Sequence, residues 1–273
     1  MPHARPFDES PDFVQSLARG LQVLRAFDHT LPQASLSEIA DRTGLARAVV
    51  RRNLLTLQHL GYVSARGRMF ALTPRVLELG YSYLSSLGLG SLAQQPMQQL
   101  AEQVNESCSL SVLDGGDIVY VQRIPVRKVM SVALGIGARL PAFAASMGRV
   151  MLADFSTAAL TDWLKDHKLR AFTPATLHTA AALKSELARV RTQGYSLVAQ
   201  ELEPGLCSIA VPIRAGNGRV VAGLNVSMQY SEGVRERATG LLPSLQRAQH
   251  AIERAIVGGG NLPLLLSRPA AEA

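Results

Sequence analysis

The chain has 273 residues, 47% hydrophobic, 5% aromatic and 18% charged, with a formal net charge of +7. That length holds one large domain or two modest ones around an aliphatic core of Leu, Val and Ala, and the basic balance favours an acidic partner such as nucleic acid or a membrane surface. Two cysteines, Cys108 and Cys207, exclude a disulfide framework and sit in no metal-ligand spacing, so no metal and no cofactor is expected.

Residues 1–12, with three prolines and three acids, read as a disordered arm. A first helix is predicted over 16–27, where Leu17, Leu21 and Leu24 recur at helical spacing. Pro32 breaks the chain. A short second helix follows, with Ser35 as N-cap and Glu38 three residues on, and Gly44 ends it with a positive φ. A third helix is expected over 46–59, stopped by Gly61. The period then changes to two. Strands over 62–65 and 69–72 flank Arg66-Gly67-Arg68, a hairpin with a basic tip. Thr73-Pro74 opens a helix over 75–90, read as a linker between domains.

The second region, 91–257, has another pattern. A helix over 92–104 precedes strands over 108–113 and 118–123, which are joined by the turn Asp114-Gly115-Gly116-Asp117. A further strand is expected over 128–134. Helices follow over 146–155, 157–166 and 180–193. A second hairpin, 208–213 with 220–227, turns at Ala215-Gly216-Asn217-Gly218. A helix over 233–256 and a flexible tail over 258–273 complete the chain. Hairpins with helices between them imply an α+β domain with a largely antiparallel sheet.

The basic excess is local. Between Phe13 and Arg75 there are nine arginines and no lysine against Asp28, Glu38 and Asp41, whereas residues 1–12 are net acidic. Arg suits planar, bidentate contacts with phosphate and guanine. Three helices, a glycine turn and a basic hairpin over 13–74 match the winged helix-turn-helix plan, which implies double-stranded DNA as partner. On the third helix Val50, Leu54 and Leu57 form the inward face, and Ala48, Arg51 and Arg52 the opposite one with Arg47 on its flank. Arg66 and Arg68 are placed to reach phosphate or minor groove. The competing reading is a solvated charged face, which the basic hairpin beside it argues against. Ser35 and Ser37 are candidate phosphate donors, Ser35 equally a simple cap.

Three stretches, FVQSLARGLQVLRAF from Phe13, GYVSARGRMFALTPRVLELG from Gly61 and RLPAFAASMGRVMLA from Arg139, resemble the IclR family of transcriptional regulators. They are most similar to its branch controlling aromatic-acid catabolism. GYSLVAQELEPGLCSIAVPI from Gly194 is similar to the family's C-terminal signature. Ala46 and Ala199 stand where the family often has a polar cap and an acid. The resemblance implies a GAF-like effector domain that binds a small aromatic or dicarboxylic acid, and a homodimer able to pair into a dimer of dimers. It points to Ser146, Met147, Ser208, Asn225 and Ser227 as pocket residues, with Arg139 as charge partner. Arg149 reads better as a structural ion-pair residue. The small-residue turn before Ser146 offers backbone N–H groups to an anion, although Ser146 could serve only as an N-cap.

An enzyme is not expected. The six histidines show no metal spacing, Gly135-Ile136-Gly137 lacks the last glycine of a dinucleotide fingerprint, and no nucleophile elbow or phosphate loop occurs. The polar, acidic N-terminus resembles no signal peptide, and the longest apolar runs are too short for a bilayer. A cytoplasmic regulator without a membrane partner is the expectation. The alternative is a constitutive DNA-binding protein whose second domain only oligomerises.

Overall fold

The structure, a computed structural model, describes residues 7–28, 30–126 and 135–258; the strand expected over 128–134, residues 1–6 of the arm and the tail from 259 lie outside them. The chain forms two compact units that part between Ser82 and Tyr83.

The first unit opens with a 3₁₀ turn, Phe7–Glu9, where a disordered arm was expected. It then holds α1 (Gln15–Leu24), β1 (Gln33–Ser35), α2 (Leu36–Thr43), α3 (Arg47–His59), β2 (Val63–Arg66) and β3 (Met69–Leu72). α1 ends three residues earlier than its periodicity suggests, because Ala26 and Phe27 tuck into the core through a tight turn. α2 carries the expected capping box: Ser35 Oγ accepts from the Glu38 N–H, and the Glu38 carboxylate accepts from the Ser35 N–H at 2.7 Å. Gly44, at φ 67°, closes it in the left-handed region. β1 was not foreseen. It is too short to show a period, yet it pairs with β3 to give a three-stranded sheet in the order β1-β3-β2. The core gathers Val23, Phe27, Ile39, Val50, Leu54, Leu57 and Val63 from all three helices and the hairpin. A 3₁₀ turn, Pro74–Val76, leads into α4 (Leu77–Leu87), which runs across the boundary between the units.

The second unit is α+β. α5 (Leu89–Val104) is followed by β4 (Ser107–Asp114), β5 (Asp117–Ile124), β6 (Arg139–Pro141), α6 (Ser146–Leu152), α7 (Thr157–Asp166), α8 (Ala180–Gln193), β7 (Ser196–Ala199), β8 (Leu206–Arg214), β9 (Val220–Gln229), α9 (Val234–Gly240) and α10 (Leu242–Gly258). The six strands form one antiparallel sheet in the order β6-β5-β4-β9-β8-β7. The single helix expected over 233–256 is two, interrupted at Leu241 between Gly240 and Pro243, both poor in a helix interior. The run at Gly135 is a turn: Ala138 N–H donates to Gly135 O, and Gly137 N–H to Tyr120 O, before the chain enters edge strand β6.

The sheet separates two different cores. One face is apolar: Cys108, Leu110, Val112, Ile209, Val211, Leu224, Val226 and Met228 pack with Leu89, Met97, Leu100, Leu245 and Ile252 of α5 and α10. Strand periodicity sends the alternate residues to the opposite face, and there they are small or polar. One cross-strand row reads Arg123, Ser109, Asn225, Ala210, Ser196; the next reads Ser107, Ser227, Ser208, Val198. α6 lies over this face. Its approach is close enough that a Cβ on Gly223 would stand 2.9 Å from Met147 Cα, and one on Gly148 would meet the Ala142 carbonyl.

Candidate functional sites

The helix pair α2–α3 and the hairpin β2–β3 put one set of cations on the surface. Val50, Leu54 and Leu57 are buried, as their spacing implies, while Arg47, Ala48, Arg51 and Arg52 are exposed. α3 begins at Ala46 without a side-chain cap, so its first N–H groups are left to solvent or a ligand. Arg66 and Arg68 are exposed at the hairpin tip, where Gly67 takes φ 60° at the first central position of a two-residue turn. Two of the nine arginines are structural. Arg42 pairs with Asp28, and Arg75 donates to Leu60 O at 2.9 Å and lies over the Tyr62 ring. Among the described residues Arg47, Arg51, Arg52, Arg66 and Arg68 have no carboxylate partner. Ser35 is different: its hydroxyl both accepts from the Glu38 N–H and donates to the Glu38 carboxylate. The capping role therefore occupies it, and its place as a phosphate donor is not supported. Ser37, in the first turn of α2, is half-buried.

On the polar face of the second unit a narrow cavity of about 30 Å³ is lined by Tyr120, Arg123, Leu140, Ser146, Met147, Val198, Glu201, Leu202, Leu206, Ser208, Asn225 and Ser227. Five of the six expected pocket residues thus converge from α6, β8 and β9. Ser146 is not an N-cap; Ala145 holds that position, and Ser146 Oγ bonds Ser208 Oγ at 2.9 Å across the interior. Asn225 Oδ1 accepts from the Ser109 N–H at 3.1 Å, which fixes the amide so that its NH2 remains a donor. The Ser111 hydroxyl donates to Met147 Sδ at 3.3 Å.

Arg139 is the exception. It stands on edge strand β6, outside the cavity, and clamps the β4–β5 turn through Asp114 at 2.7 Å and Asp117 at 3.1 Å. The cation lining the cavity is Arg123, which sequence reasoning missed. The cause is a β-bulge: Leu110 pairs with Gln122 but Ser111 with Tyr120, so Val121 is the extra residue. Tyr120 and Arg123, three apart and of opposite strand parity, therefore share a face. Burial pushes the Tyr120 phenol up to about 12, against a smaller downward pull from Arg123, so it is held as a neutral O–H.

Arg149, 1% exposed, is structural as expected. It donates to Phe143 O at 2.8 Å and takes both oxygens of Glu201, which also accepts from the Leu177 N–H. Removing one partner of such a buried pair costs about 3–5 kcal/mol, because the other charge is left uncompensated. The pair holds the β7–β8 connection, whose backbone also accepts from the Thr173 and Thr176 hydroxyls, against α6. Glu201 thus walls the cavity without offering it a free negative charge.

A larger open cleft, about 570 Å³, lies near Asp154, Arg191 and Arg214. Its polar groups are engaged locally: Arg191 holds Ala153 O and Phe155 O at the end of α6, and Arg214 pairs with Asp154. The two cysteines are buried and unpaired, and burial raises both thiols, that of Cys108 to about 12, which suits packing and not nucleophilic attack. Among the described residues no three His, Cys, Asp or Glu side chains gather to hold a metal ion, and no helix is long and apolar enough to cross a membrane.

Comparison with known proteins agrees with this layout. The IclR helix-turn-helix domain matches residues 16–67, and the bacterial transcriptional regulator IclR C-terminal domain matches 81–254. The chain is 41% identical over 254 residues to the Pca regulon regulatory protein of Pseudomonas putida, covering 92% of this chain and 87% of that one. It is 35% identical over 233 residues to the p-hydroxybenzoate hydroxylase transcriptional activator of Acinetobacter baylyi, covering 84% and 86%. Among solved structures, an IclR homolog from Microbacterium hydrocarbonoxydans complexed with 4-hydroxybenzoate superposes with a TM-score of 0.77 at 25% identity, over 88% of this chain and 98% of that one. Both domain matches fall on the two units described above, and the chain belongs to the IclR family of DNA-binding transcriptional regulators.

Proposed function

We propose that this regulator controls genes of aromatic-acid catabolism in response to a small organic acid held in the cavity of its second unit. The observation that carries the reading is the lining itself. It combines the Ser146–Ser208 hydroxyl pair, Ser227, the Asn225 amide and Tyr120 with apolar Leu140, Val198, Leu202 and Leu206. A few placed donors within apolar walls suit a small aromatic acid. At about 30 Å³ the cavity admits little more than water, so entry of an acid requires its flexible walls, Met147 and Leu202 among them, to move. Relatives named for p-hydroxybenzoate hydroxylase and for a bound 4-hydroxybenzoate support the same class of ligand.

On the DNA side, α3 enters the major groove with Arg47, Ala48, Arg51 and Arg52 toward the bases and backbone. Ser37, Arg66 and Arg68 contact flanking phosphate or minor groove. Two copies acting on a partly palindromic operator fit this docking. The apolar face of α1 supports self-association, since Val14, Leu17 and Leu21 point outward, 48% to 63% exposed, instead of into the core. α4, continuous across the two units, is the covalent route by which an occupied cavity alters the DNA-binding pairs.

The test is a thermal-shift and operator-binding series on the full chain with p-hydroxybenzoate, protocatechuate and β-ketoadipate. The expected result is a raised melting temperature and altered operator affinity with at least one of them. If none has either effect, the constitutive regulator with a purely oligomerising second unit replaces the sensor. Arg51→Ala should weaken specific operator binding by about 1–3 kcal/mol while sparing random DNA if Arg51 reads a base. An equal loss on both DNAs makes it a phosphate contact.

A further inference from the structure

The cavity's charge balance says more about its ligand than the donors do. Arg123 lines it half-buried, and among the described residues its guanidinium has neither a carboxylate partner nor a hydrogen-bond acceptor. A partly desolvated cation without a counter-charge is unfavourable, and stable folds pair such groups or leave them for a ligand. The one acid in the described wall, Glu201, cannot serve, because both its oxygens are taken by Arg149. Tyr120, held neutral by burial, cannot supply a phenolate. The β-bulge at Val121 turns Arg123 onto the cavity face beside Ser109 and Asn225, where regular pairing would have sent it to the apolar side.

Resting on the reading of this unit as an acid sensor, we infer that Arg123 is the carboxylate anchor of the effector. A guanidinium fork binds a planar carboxylate through two parallel N–H···O bonds. Among the described residues it is the one cation in the cavity lining, so that lining offers a charged partner to one carboxylate. The remaining body of the ligand lies among Leu140, Leu202 and Leu206, with its polar substituent toward the Ser146–Ser208 pair and the Asn225 NH2. The effector class is therefore a small aromatic monocarboxylate bearing a hydroxyl group, and a dicarboxylate is disfavoured.

Isothermal titration calorimetry on the full-length chain separates these statements. The ligands are 4-hydroxybenzoate, its neutral isostere 4-hydroxybenzamide, and the dicarboxylate adipate, against wild type, Arg123→Gln and Arg123→Lys, each checked for folding by circular dichroism. Wild type should bind the acid about 10- to 100-fold more tightly than the amide, and more tightly than adipate. Arg123→Gln should lose that factor for the acid while keeping its amide affinity, and Arg123→Lys should recover part of it. If Arg123→Gln retains the wild-type preference for acid over amide, the anchor is another group and the inference fails while the sensor reading stands. If wild type binds no acid in this or the wider series, both fall together. Should Arg123→Gln not fold, the wild-type ratios decide: an acid-to-amide ratio near one, or tighter binding of adipate, overturns the inference.

Discussion

Asp28 shows how one side chain can hold a turn by its charge. It accepts from the Thr30 hydroxyl at 2.6 Å, from the Thr30 and Leu31 N–H groups at 2.8 and 3.0 Å, and from Arg42. These bonds, the Thr30 hydroxyl foremost, bring its carboxyl down from 3.8 to about 2 although it is exposed. A depressed carboxyl pKa stabilises the fold above the unfolded-state value, and that contribution is lost as pH falls through the folded value. Wild type should therefore melt above Asp28→Asn by a gap that is steady above about pH 5 and closes between about pH 4 and 2. A gap unchanged across that range would show that the carboxylate charge plays no part. Residues with local signals were legible in this way from sequence, Ser35 with Glu38 above all. Arg123 was not, since strand parity assigns it to the wrong face and only the bulge corrects it. Arg139, a charge partner by family resemblance, is claimed instead by two aspartates on the neighbouring turn.

At the level of elements, the approach of α6 to the sheet decides whether the cavity exists. Gly223 on β9 faces Met147 so closely that an added methyl would press on its backbone at 2.9 Å. Backbone cannot rotate away as a side-chain tip can. Gly223→Ala should cost about 1–3 kcal/mol in urea denaturation through overpacking, and should also weaken acid binding because Ser146 and Met147 ride on α6. Unchanged stability would mean that α6 shifts freely, in which case the Ser146–Ser208 contact is not a fixed feature of the site. The long elements could be read from periodicity and their ends from Gly, Pro and capping residues. β1, β6 and β7 could not, because each is short and none is joined to its sheet neighbour by a two-residue turn of the kind that marks β2 and β3. What makes them strands is a neighbour already in place: β3 for β1, β5 for β6 and β8 for β7.

For the molecule as a whole, a regulator that answers to an acid must couple two binding events. Thermodynamic linkage makes that coupling reciprocal, so the factor by which the acid changes operator affinity equals the factor by which operator DNA changes acid affinity. The expected size is about 5- to 150-fold. Titrating 4-hydroxybenzoate with and without saturating operator, and operator with and without saturating acid, measures the two factors independently. Unequal factors would mean that the acid acts at more than one site or changes the assembly state. Equal factors of one would leave the second unit without a regulatory role.

The sequence by itself determined the helix-turn-helix unit, its basic hairpin and the α+β character of the rest, because these depend on short-range spacing, turn chemistry and where charge is concentrated. It also brought Ser146, Met147, Ser208, Asn225 and Ser227 together as candidates through family resemblance, and all five line one cavity. Tertiary structure alone decided which cation faces that cavity, which acid is neutralised beside it and how near α6 comes to the sheet. Those outcomes rest on a bulge, a buried ion pair between residues 52 positions apart, and a glycine contact between two distant elements. Such contacts are set by packing of the folded chain, which no local pattern records.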